Sequence, residues 1–473
     1  VELAKGGFVN FHFQPGWLFD WLWSCPTQPH SGRGKVVVEH TSINPNKSAH
    51  IGHLRNACLG DTLARALRWL GYSVEVQNYL DDTGIQVADV IWGLLHHQGK
   101  TLDEVRQIPQ LAEYLWELYT EVNRIFQNNE AAVAHRNEVH HRMEQRLEPE
   151  ASLCRYVSEE VLRDHMRVMA RLGIHYNLLV RESDIIHLDF WKEAAAVLEE
   201  KGIMIPARLE EQAGCRIIPY RRENIDKIIV RSNGTVTYIG KDIAYTLWKV
   251  GLFDRDFHYR AFPSDVSPHP LHMTTDQAVE ADPHHPEYGH SQRVINVIDV
   301  RQSYLQNIIS QVLEDLIPGQ DHPPFIHYGY EMVALTPRCV RELGFPLSEE
   351  DRQKTYVEVS GRKGIAVKAN TLLDMLTERS LHEVMNRHQD LDAAAAGRIA
   401  RARMHDQADG LVDDHQVRIL VEHIQAHGGV GSHRLPFGVG ILGDHHRLPR
   451  LQTGRGFRDH RSVHRHLAGS YRG

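Results

Sequence analysis

A strand, a loop, a helix and a second strand follow one another near the start of the sequence. GKVVVEH, residues 34–40, is a short β-branched run with polar ends, which indicates a buried strand. TSINPNKSA follows as a loop. In HLRNACLGDTLARALRWLGYSVEVQNYL, leucines recur at helical spacing, Gly71 suits the end of the helix, and SVEVQNYL restarts as a strand. The sequence therefore predicts a right-handed parallel βαβ unit, with its loop at the sheet edge where α/β proteins bind ligands.

A long charged region follows this unit. From about Thr101 to Glu200, segments such as LAEYLWELYTEVNRIF are amphipathic at the helical period, and we predict an inserted helical region. KIIVRSNGTVTYIGKDIAYTLWKV then predicts a hairpin that turns at SNGT and a helix from about Asp242. RVINVIDVRQSYLQNIISQVLEDL predicts a buried strand through Val300 and a helix, and FIHYGYEMVAL predicts another strand.

Composition narrows the class of protein. The chain has 473 residues, enough for two or three domains, with 42% hydrophobic and 24% charged residues as in ordinary soluble proteins. No apolar run approaches the roughly 20 residues that span a membrane. The five cysteines form no CxxC pair, so we expect reduced thiols in the cytoplasm and no thiolate zinc site. Because the net charge is -8, a nucleic-acid partner needs a local basic surface.

The last part of the chain changes character. Lys368 is the last lysine, and from about Met404 the sequence is rich in His, Arg, Gly and Gln without sustained periodicity. We interpret this tail as sequence from a shifted reading frame or an assembly error. The alternative is a basic tail that binds nucleic acid.

Two histidines stand at the start of the predicted helix, in SAHIGHLRNACLGD. His50 and His53 are three residues apart and share a face, and a helix N-terminus attracts phosphate. Gly52 between them removes bulk where a nucleotide base could pack. The sequence favours an anion site, with a metal site or a packed histidine pair as the alternatives.

A second candidate for phosphate binding lies some 300 residues downstream. In SGRKG, residues 360–364, two adjacent cations stand in a loop with two glycines and could swing onto a polyphosphate. The alternative is a solvated basic turn.

Together these two motifs resemble the HIGH and KMSKS signatures of class I aminoacyl-tRNA synthetases. Five blocks resemble arginyl-tRNA synthetases in the same order: VVVEHTSINPNKSAHIGHLRN, NYLDDTGIQ, TYIGKDIAY, VIDVRQSYLQ, and HYGYEMVAL with VEVSGRKGIAVKANTLLD. The resemblance covers about Val1 to Ala402. It implies an α/β fold, with a Rossmann-like parallel-sheet catalytic domain that carries the helical insertion.

The resemblance also implies a domain plan. Residues 1–33 would be the remnant of an N-terminal tRNA-contacting domain with a linker, and residues 34–380 the catalytic domain. Residues 381–473 would be the start of a helical anticodon-binding domain, followed by the aberrant tail. With both tRNA-reading ends incomplete, we expect a chain that binds ATP and arginine but aminoacylates poorly.

The family's arginine site can be carried over position by position. Glu39 and Asp242 would hold the guanidinium, which carboxylates match with bidentate geometry. Tyr238 would lie against the side chain, Gln302 would add a polar contact, and Asn44 would bind the α-amino or carboxylate end. Five other interpretations stay open: a strand-end surface charge for Glu39, a helix N-cap for Asp242, a core residue for Tyr238, a helix-start polar residue for Gln302 and a turn former for Asn44.

The resemblance also implies the ATP site. His50, Gly52 and His53 would hold ATP, and Ser360, Arg362 and Lys363 would close over its phosphates. Lys47 occupies the position where family members without the second signature lysine carry a compensating one. Its alternative is a solvated loop lysine. The implied catalytic set is His50, His53, Lys47, Lys363 and Arg362, with no protein metal ligand.

The implied activity is that of an arginine–tRNA ligase, which uses ATP with Mg²⁺ and the partners L-arginine and tRNA(Arg). We expect a cytoplasmic monomer without a membrane partner. Two alternatives remain: a non-catalytic remnant that binds ATP or tRNA, and a class I synthetase for another amino acid.

Overall fold

The computed structural model describes residues 2–4, 8–10, 32–267, 269–319, 323–331, 333–358, 367–387, 392 and 397. The predicted SGRKG loop and the tail lie outside these described residues. Among them, no helix is long and apolar enough to cross a membrane.

The strands of the described residues are, in chain order, β1 (Glu2–Ala4), β2 (Phe8–Asn10), β3 (Arg33–Glu39), β4 (Tyr72–Leu80), β5 (Leu178–Arg181), β6 (Ile205–Pro206), β7 (Arg216–Tyr220), β8 (Ile225–Val230), β9 (His258–Ala261), β10 (His272–Thr275), β11 (Arg293–Asp299), β12 (Phe325–Tyr330), β13 (Ala334–Leu335) and β14 (Val357–Glu358).

The α-helices of the same residues are α1 (Ile51–Trp69), α2 (Ile85–Trp92), α3 (Leu102–Arg106), α4 (Leu111–Asn128), α5 (Glu130–Glu144), α6 (Glu150–Ala170), α7 (Glu182–His187), α8 (Phe190–Glu200), α9 (Tyr238–Lys249), α10 (Ser303–Leu316), α11 (Pro337–Glu342), α12 (Glu349–Gln353) and α13 (Ala369–Arg387). A π-helical turn, Gly93–His97, extends α2.

The main sheet of the described residues has seven strands in the order β12-β11-β3-β4-β5-β10-β9. Neighbouring strands are parallel except for β9 and β10, which are antiparallel. This is an α/β fold with a predominantly parallel sheet, as the sequence predicted. The central strands β3, β4 and β5 therefore end at one edge, and side chains that follow them can meet there.

Both faces of the sheet are covered, as a parallel sheet requires. Val36 and Val38 of β3 pack on the face covered by α1, while Val37 between them joins the core formed by α9 and α10 on the other face. Helices α2 to α6 bury a core of their own around Leu115 and Val157. The helical insertion, which lies between β4 and β5 in the sequence, thus has a hydrophobic core of its own.

Three local predictions differ from the structure. The region expected to be helical from about Thr101 to Glu200 contains β5, a fully buried strand of the main sheet. Helix α9 begins at Tyr238, four residues before the expected start at Asp242. The expected hairpin turns at Gly234, but its arms share only an isolated bridge between Val230 and Val236, because β8 pairs with β7 instead.

Candidate active site

The two histidines of the first motif cap helix α1. His50 is the N-cap residue, and its Nδ1 accepts the Gly52 amide N–H at 3.1 Å. The His53 Nδ1 accepts the His50 amide N–H at 3.1 Å in return, which completes a capping box built from two imidazoles. The rings stack with their centroids 3.6 Å apart. A Cβ on Gly52 would come within 3.0 Å of the His50 ring, so the absence of a side chain there makes room for the histidine itself.

Burial and capping together determine the protonation state and the tautomer of both rings. Burial, helped by the neighbouring Lys47 and His165, lowers the pKa of His50 to about 4, and burial with the charges of His50, His165 and Lys47 lowers the pKa of His53 well below 6.5. Both imidazoles are therefore neutral near pH 7. Because each Nδ1 accepts a backbone N–H, the ring proton of each lies on Nε2. The site thus offers neutral Nε2–H donors beside the positive end of a helix.

Lys47 precedes the histidines and is held by the helical insertion. Its Nζ lies 4.1 Å from the centre of the Tyr119 ring of α4. Its carbonyl oxygen accepts a 2.8 Å hydrogen bond from the buried His165 of α6. Burial lowers the pKa of Lys47 to about 8, against the opposing effect of Asp89. A partly buried cation on an aromatic face is not a solvated loop lysine, so that alternative is wrong.

Three carboxylates follow three neighbouring parallel strands. Glu39 ends β3, Asp81 follows β4 and Glu182 follows β5. Asp242, in the second turn of α9, faces the same group, since the charges of Glu39 and Glu182 act on it. Glu39 is only 6% exposed and forms an ion pair with Lys249, which is 1% exposed, so its interpretation as a strand-end surface charge is wrong.

Polar partners connect these carboxylates. Glu182 accepts hydrogen bonds from the Tyr79 hydroxyl at 2.7 Å and from the Lys241 ammonium at 2.8 Å. The Asn44 amide nitrogen lies 3.4 Å from an Asp81 carboxylate oxygen. The loop that carries Asn44 therefore meets the carboxylate cluster directly.

The cluster has four carboxyl groups, Glu39, Asp81, Glu182 and Asp242, and two lysines, Lys241 and Lys249. Burial, with the charges of Glu182 and Asp82, raises the pKa of Asp81 to about 7. Burial, with the charges of Glu182 and Glu39, raises the pKa of Asp242 to about 8. Carboxyl groups in this state gain an electrostatic partner when a cation arrives. The cluster is therefore suited to a positively charged group.

The remaining predicted residues lie at helix starts. Tyr238 is the first residue of α9, one turn before Asp242, and it is 60% exposed, so its interpretation as a core residue is wrong. Thr237 takes the N-cap position, so the interpretation of Asp242 as the N-cap is also wrong. Gln302 is exposed at the start of α10. Ser360, Arg362 and Lys363 lie outside the described residues.

The sequence interpretation missed four charged groups of the cluster, which are Asp81, Glu182, Lys241 and Lys249. Asp81 stands in the quoted block NYLDDTGIQ, directly after a predicted strand, and that position is the signal that could have identified it. Glu182 follows a strand that was not predicted. Lys249 gave no sequence signal, because it is simply the last residue of an amphipathic helix.

Known proteins are similar to this chain in sequence and in fold. Residues 26–256 match the family described as tRNA synthetases class I (R), catalytic domain, which places the α/β domain in class I. An arginine–tRNA ligase from Deinococcus radiodurans is 33% identical over 84% of this chain and 61% of its own length. One from Pyrococcus abyssi is 33% identical over 91% of this chain and 64% of its own length. The matched region, residues 26–256, therefore belongs to the class I arginyl-tRNA synthetase family.

Solved structures agree in fold. The arginyl-tRNA synthetase of Thermus thermophilus matches with a TM-score of 0.64 and 29% identity over 85% of this chain and 63% of that one. That of Plasmodium falciparum matches with a TM-score of 0.52 at 16% identity, covering 80% of this chain and 51% of that one, which bears on the fold alone. The chain thus spans less than two thirds of the length of these relatives.

Proposed function

We propose that this chain activates L-arginine with ATP and transfers the arginyl group to tRNA(Arg), acting as a cytoplasmic monomer. The observation that carries the proposal is the row of carboxylates that follow β3, β4 and β5, with Asp242 facing them. Its carboxyl groups outnumber its lysines and can ionise when a cation binds, which fits a guanidinium, a planar cation with five donors. None of the four cysteines of the described residues forms a disulfide, which suits the reducing cytoplasm.

In the first step the arginine carboxylate attacks the α-phosphate of ATP and releases pyrophosphate, which gives arginyl-adenylate. Glu39 and Asp242, with Asp81 and Glu182, hold the guanidinium, while Asn44 binds the α-amino or carboxylate end. Tyr238 lies against the arginine side chain, and Gln302 adds a polar contact. Held in this way, the carboxylate needs no protein nucleophile, since positioning supplies much of the rate.

The part of the site that binds ATP uses the N–H groups of two histidines that stay neutral near pH 7. The Nε2–H groups of His50 and His53 donate to phosphate oxygens, and the α1 N-terminus adds its partial positive charge. Lys47 supplies a cation on the same side, and Ser360, Arg362 and Lys363 close over the phosphates. This arrangement stabilises the charge that develops on the phosphates during adenylate formation.

Mg²⁺ would accompany ATP, since it binds through phosphate oxygens and neutralises their charge. The described residues contain no group of three His, Cys, Asp or Glu side chains that could hold a metal ion. In the second step the terminal ribose hydroxyl of tRNA(Arg) attacks the adenylate carbonyl, and AMP leaves.

Pyrophosphate exchange into ATP tests the proposal, measured with arginine, lysine and citrulline, with and without tRNA(Arg). We expect exchange with arginine only, because citrulline has the same shape without the charge and lysine lacks the planar fork. Exchange with another amino acid would identify a different specificity. No exchange from folded protein under any of these conditions would indicate a non-catalytic remnant.

A further inference from the structure

The loop that leaves β3 has an unusual backbone. Thr41 and Ser42, two consecutive residues with side chains, both have positive φ, 76° and 42°. A residue other than glycine in this region is strained, and it persists only where its surroundings hold it. The turn leads from Glu39 to Asn44, so the strained pair lies between two residues of the candidate arginine site.

Two buried asparagines hold this turn by its amide groups. The Asn56 Oδ1 accepts the Thr41 N–H at 2.6 Å, and the Asn78 Oδ1 accepts the Ser42 N–H at 2.9 Å. The Thr41 N–H has the Asn56 side chain in place of a ladder partner. The Ser42 N–H is shared between the Asn78 Oδ1 and the His40 carbonyl, which lies 3.0 Å away and closes a three-residue turn centred on Thr41. One asparagine comes from α1 and the other from β4, the two elements that flank the turn.

The two asparagines differ in what else they do. Asn56 also donates to the Val297 carbonyl at 2.8 Å and to the Tyr330 hydroxyl at 3.0 Å, so it ties the framework together. Asn78 is 1% exposed, yet its Nδ2 has no hydrogen-bond partner among the described residues. A buried donor without a partner destabilises the folded protein. A contribution to stability therefore explains Asn78 poorly. Its hydrogen bond with Ser42 is the contact that accounts for an asparagine at this position.

We propose that Asn78 is a positioning residue for the amino-acid substrate, because its Oδ1 holds Ser42 in the left-handed turn that presents Asn44 beside Asp81. The inference rests on the proposed function, since it assigns Asn44 and Glu39 to arginine. Asn78 does not support the histidines in this way, because they are held by their own capping box. Loss of Asn78 should therefore weaken arginine binding far more than ATP binding.

The test compares Asn78→Ala with Asn78→Asp in pyrophosphate exchange. The alanine variant loses the acceptor, and we expect the KM for arginine to rise about 10- to 100-fold while the KM for ATP changes less than about two-fold. The aspartate variant keeps an acceptor oxygen for the Ser42 N–H, and we expect its KM for arginine to stay within about three-fold of the wild type. Equal rises for both substrates, or no rescue by aspartate, would overturn the proposal.

Asn177→Ala is the matched control. The Asn177 Oδ1 accepts the N–H of Val76, which lies on β4 like Asn78, at 2.7 Å. Asn177 directly precedes β5 and is therefore away from the carboxyl edge of the sheet. This variant removes the same kind of contact, and we expect it to leave the KM for arginine unchanged. A comparable rise in this KM would show that any such loss in β4 has the same effect, and it would overturn the positioning role.

A crystal structure of the Asn78→Ala variant separates this inference from the proposed function. We expect Ser42 to leave the left-handed region and Asn44 to move away from Asp81. If Ser42 keeps its positive φ, the positioning role is wrong, whatever the enzyme does. If wild-type protein shows no exchange while the turn rearranges as expected, the proposed function fails and the structural role of Asn78 stands.

Discussion

Gly52 is the residue whose missing side chain makes room for the His50 ring. A Cβ added there would lie 2.9 Å from Cε1 and 3.0 Å from Nδ1 of His50, the ring that caps the Gly52 amide. For Gly52→Ala we expect exchange activity to fall about 10- to 100-fold, because a small displacement of a positioned donor is costly in catalysis. Thr62→Ala, an exposed change in the same helix, should have no such effect. A Gly52→Ala variant of normal activity would contradict this account of the capping box.

Asp81 and Asp242 make arginine binding dependent on pH. Their pKa values, raised to about 7 and about 8, leave both partly protonated near neutrality, and a guanidinium pairs with the ionised forms. The KM for arginine should therefore fall as the pH rises from about 6 to 8.5, with protons released on binding, which calorimetry in buffers of different ionisation enthalpy measures. Asp242→Asn should raise this KM about 10- to 100-fold and flatten its pH dependence. A pH-independent KM would contradict the assignment.

At the scale of elements, a buried ion pair joins β3 to α9. Glu39 and Lys249 are almost fully buried, and the Lys249 ammonium lies 3.7 Å from the centre of the Tyr245 ring. Lys249→Met leaves Glu39 buried without its counter-ion, and we expect a loss of about 3–5 kcal/mol in the free energy of unfolding. The double variant with Glu39→Gln should recover much of this loss, as urea denaturation would show. Additive losses in the double-mutant cycle would mean that the two side chains do not interact.

The first βαβ unit was predictable from the sequence, because its helix has a sustained period and Gly71 closes it with a φ of 94°. Strand β5 was not, since it has only four residues between helical segments, too few to show a period. Its burial comes from neighbours that are distant in the sequence, which no local pattern reveals. The error on β5 concealed Glu182, whose place in the site depends on where β5 lies in the sheet.

The two parts of the site differ in how far the sequence could predict them. The histidine motif is local: a loop and a helix start define it, so three residues of sequence spacing were enough to predict the shared face. The carboxylate cluster is assembled from three strand ends and a helix that come from residues 39 to 242. Its members can be recognised as one group only when the strand order β3-β4-β5 is known. Two of them, Glu39 and Asp242, were predicted from the resemblance to a family, because physical reasoning from the sequence could not identify them.

At the scale of the whole molecule, two sets of buried titratable groups act on stability in opposite directions. The pKa values of His50 and His165, each about 4 in the folded protein, lie below the usual 6.5, so the unfolded chain binds protons first and stability is lost as the pH falls below 6.5. The pKa values of Asp81 and Asp242 are about 7 and about 8, above the usual 3.8. For these carboxyl groups the folded protein holds protons that the unfolded chain releases, so stability is lost as the pH rises from about 4 towards 8.

These opposed effects predict a stability maximum for the protein without substrate. Above pH 6.5 the histidines of both states are neutral while Asp81 and Asp242 still titrate, so we expect the free energy of unfolding to decline as the pH rises towards 8. The opposite effect of Lys47, whose pKa of about 8 lies below the usual 10.5, sets in only above that range. Urea denaturation at about pH 5, 6.5 and 8.5 measures the curve. The double variant Asp81→Asn with Asp242→Asn should flatten the alkaline decline. Arginine should offset the same decline, because it binds the ionised carboxylates of the folded state alone. If arginine stabilises the protein equally at pH 6.5 and 8.5, the cluster is not where its charge is bound.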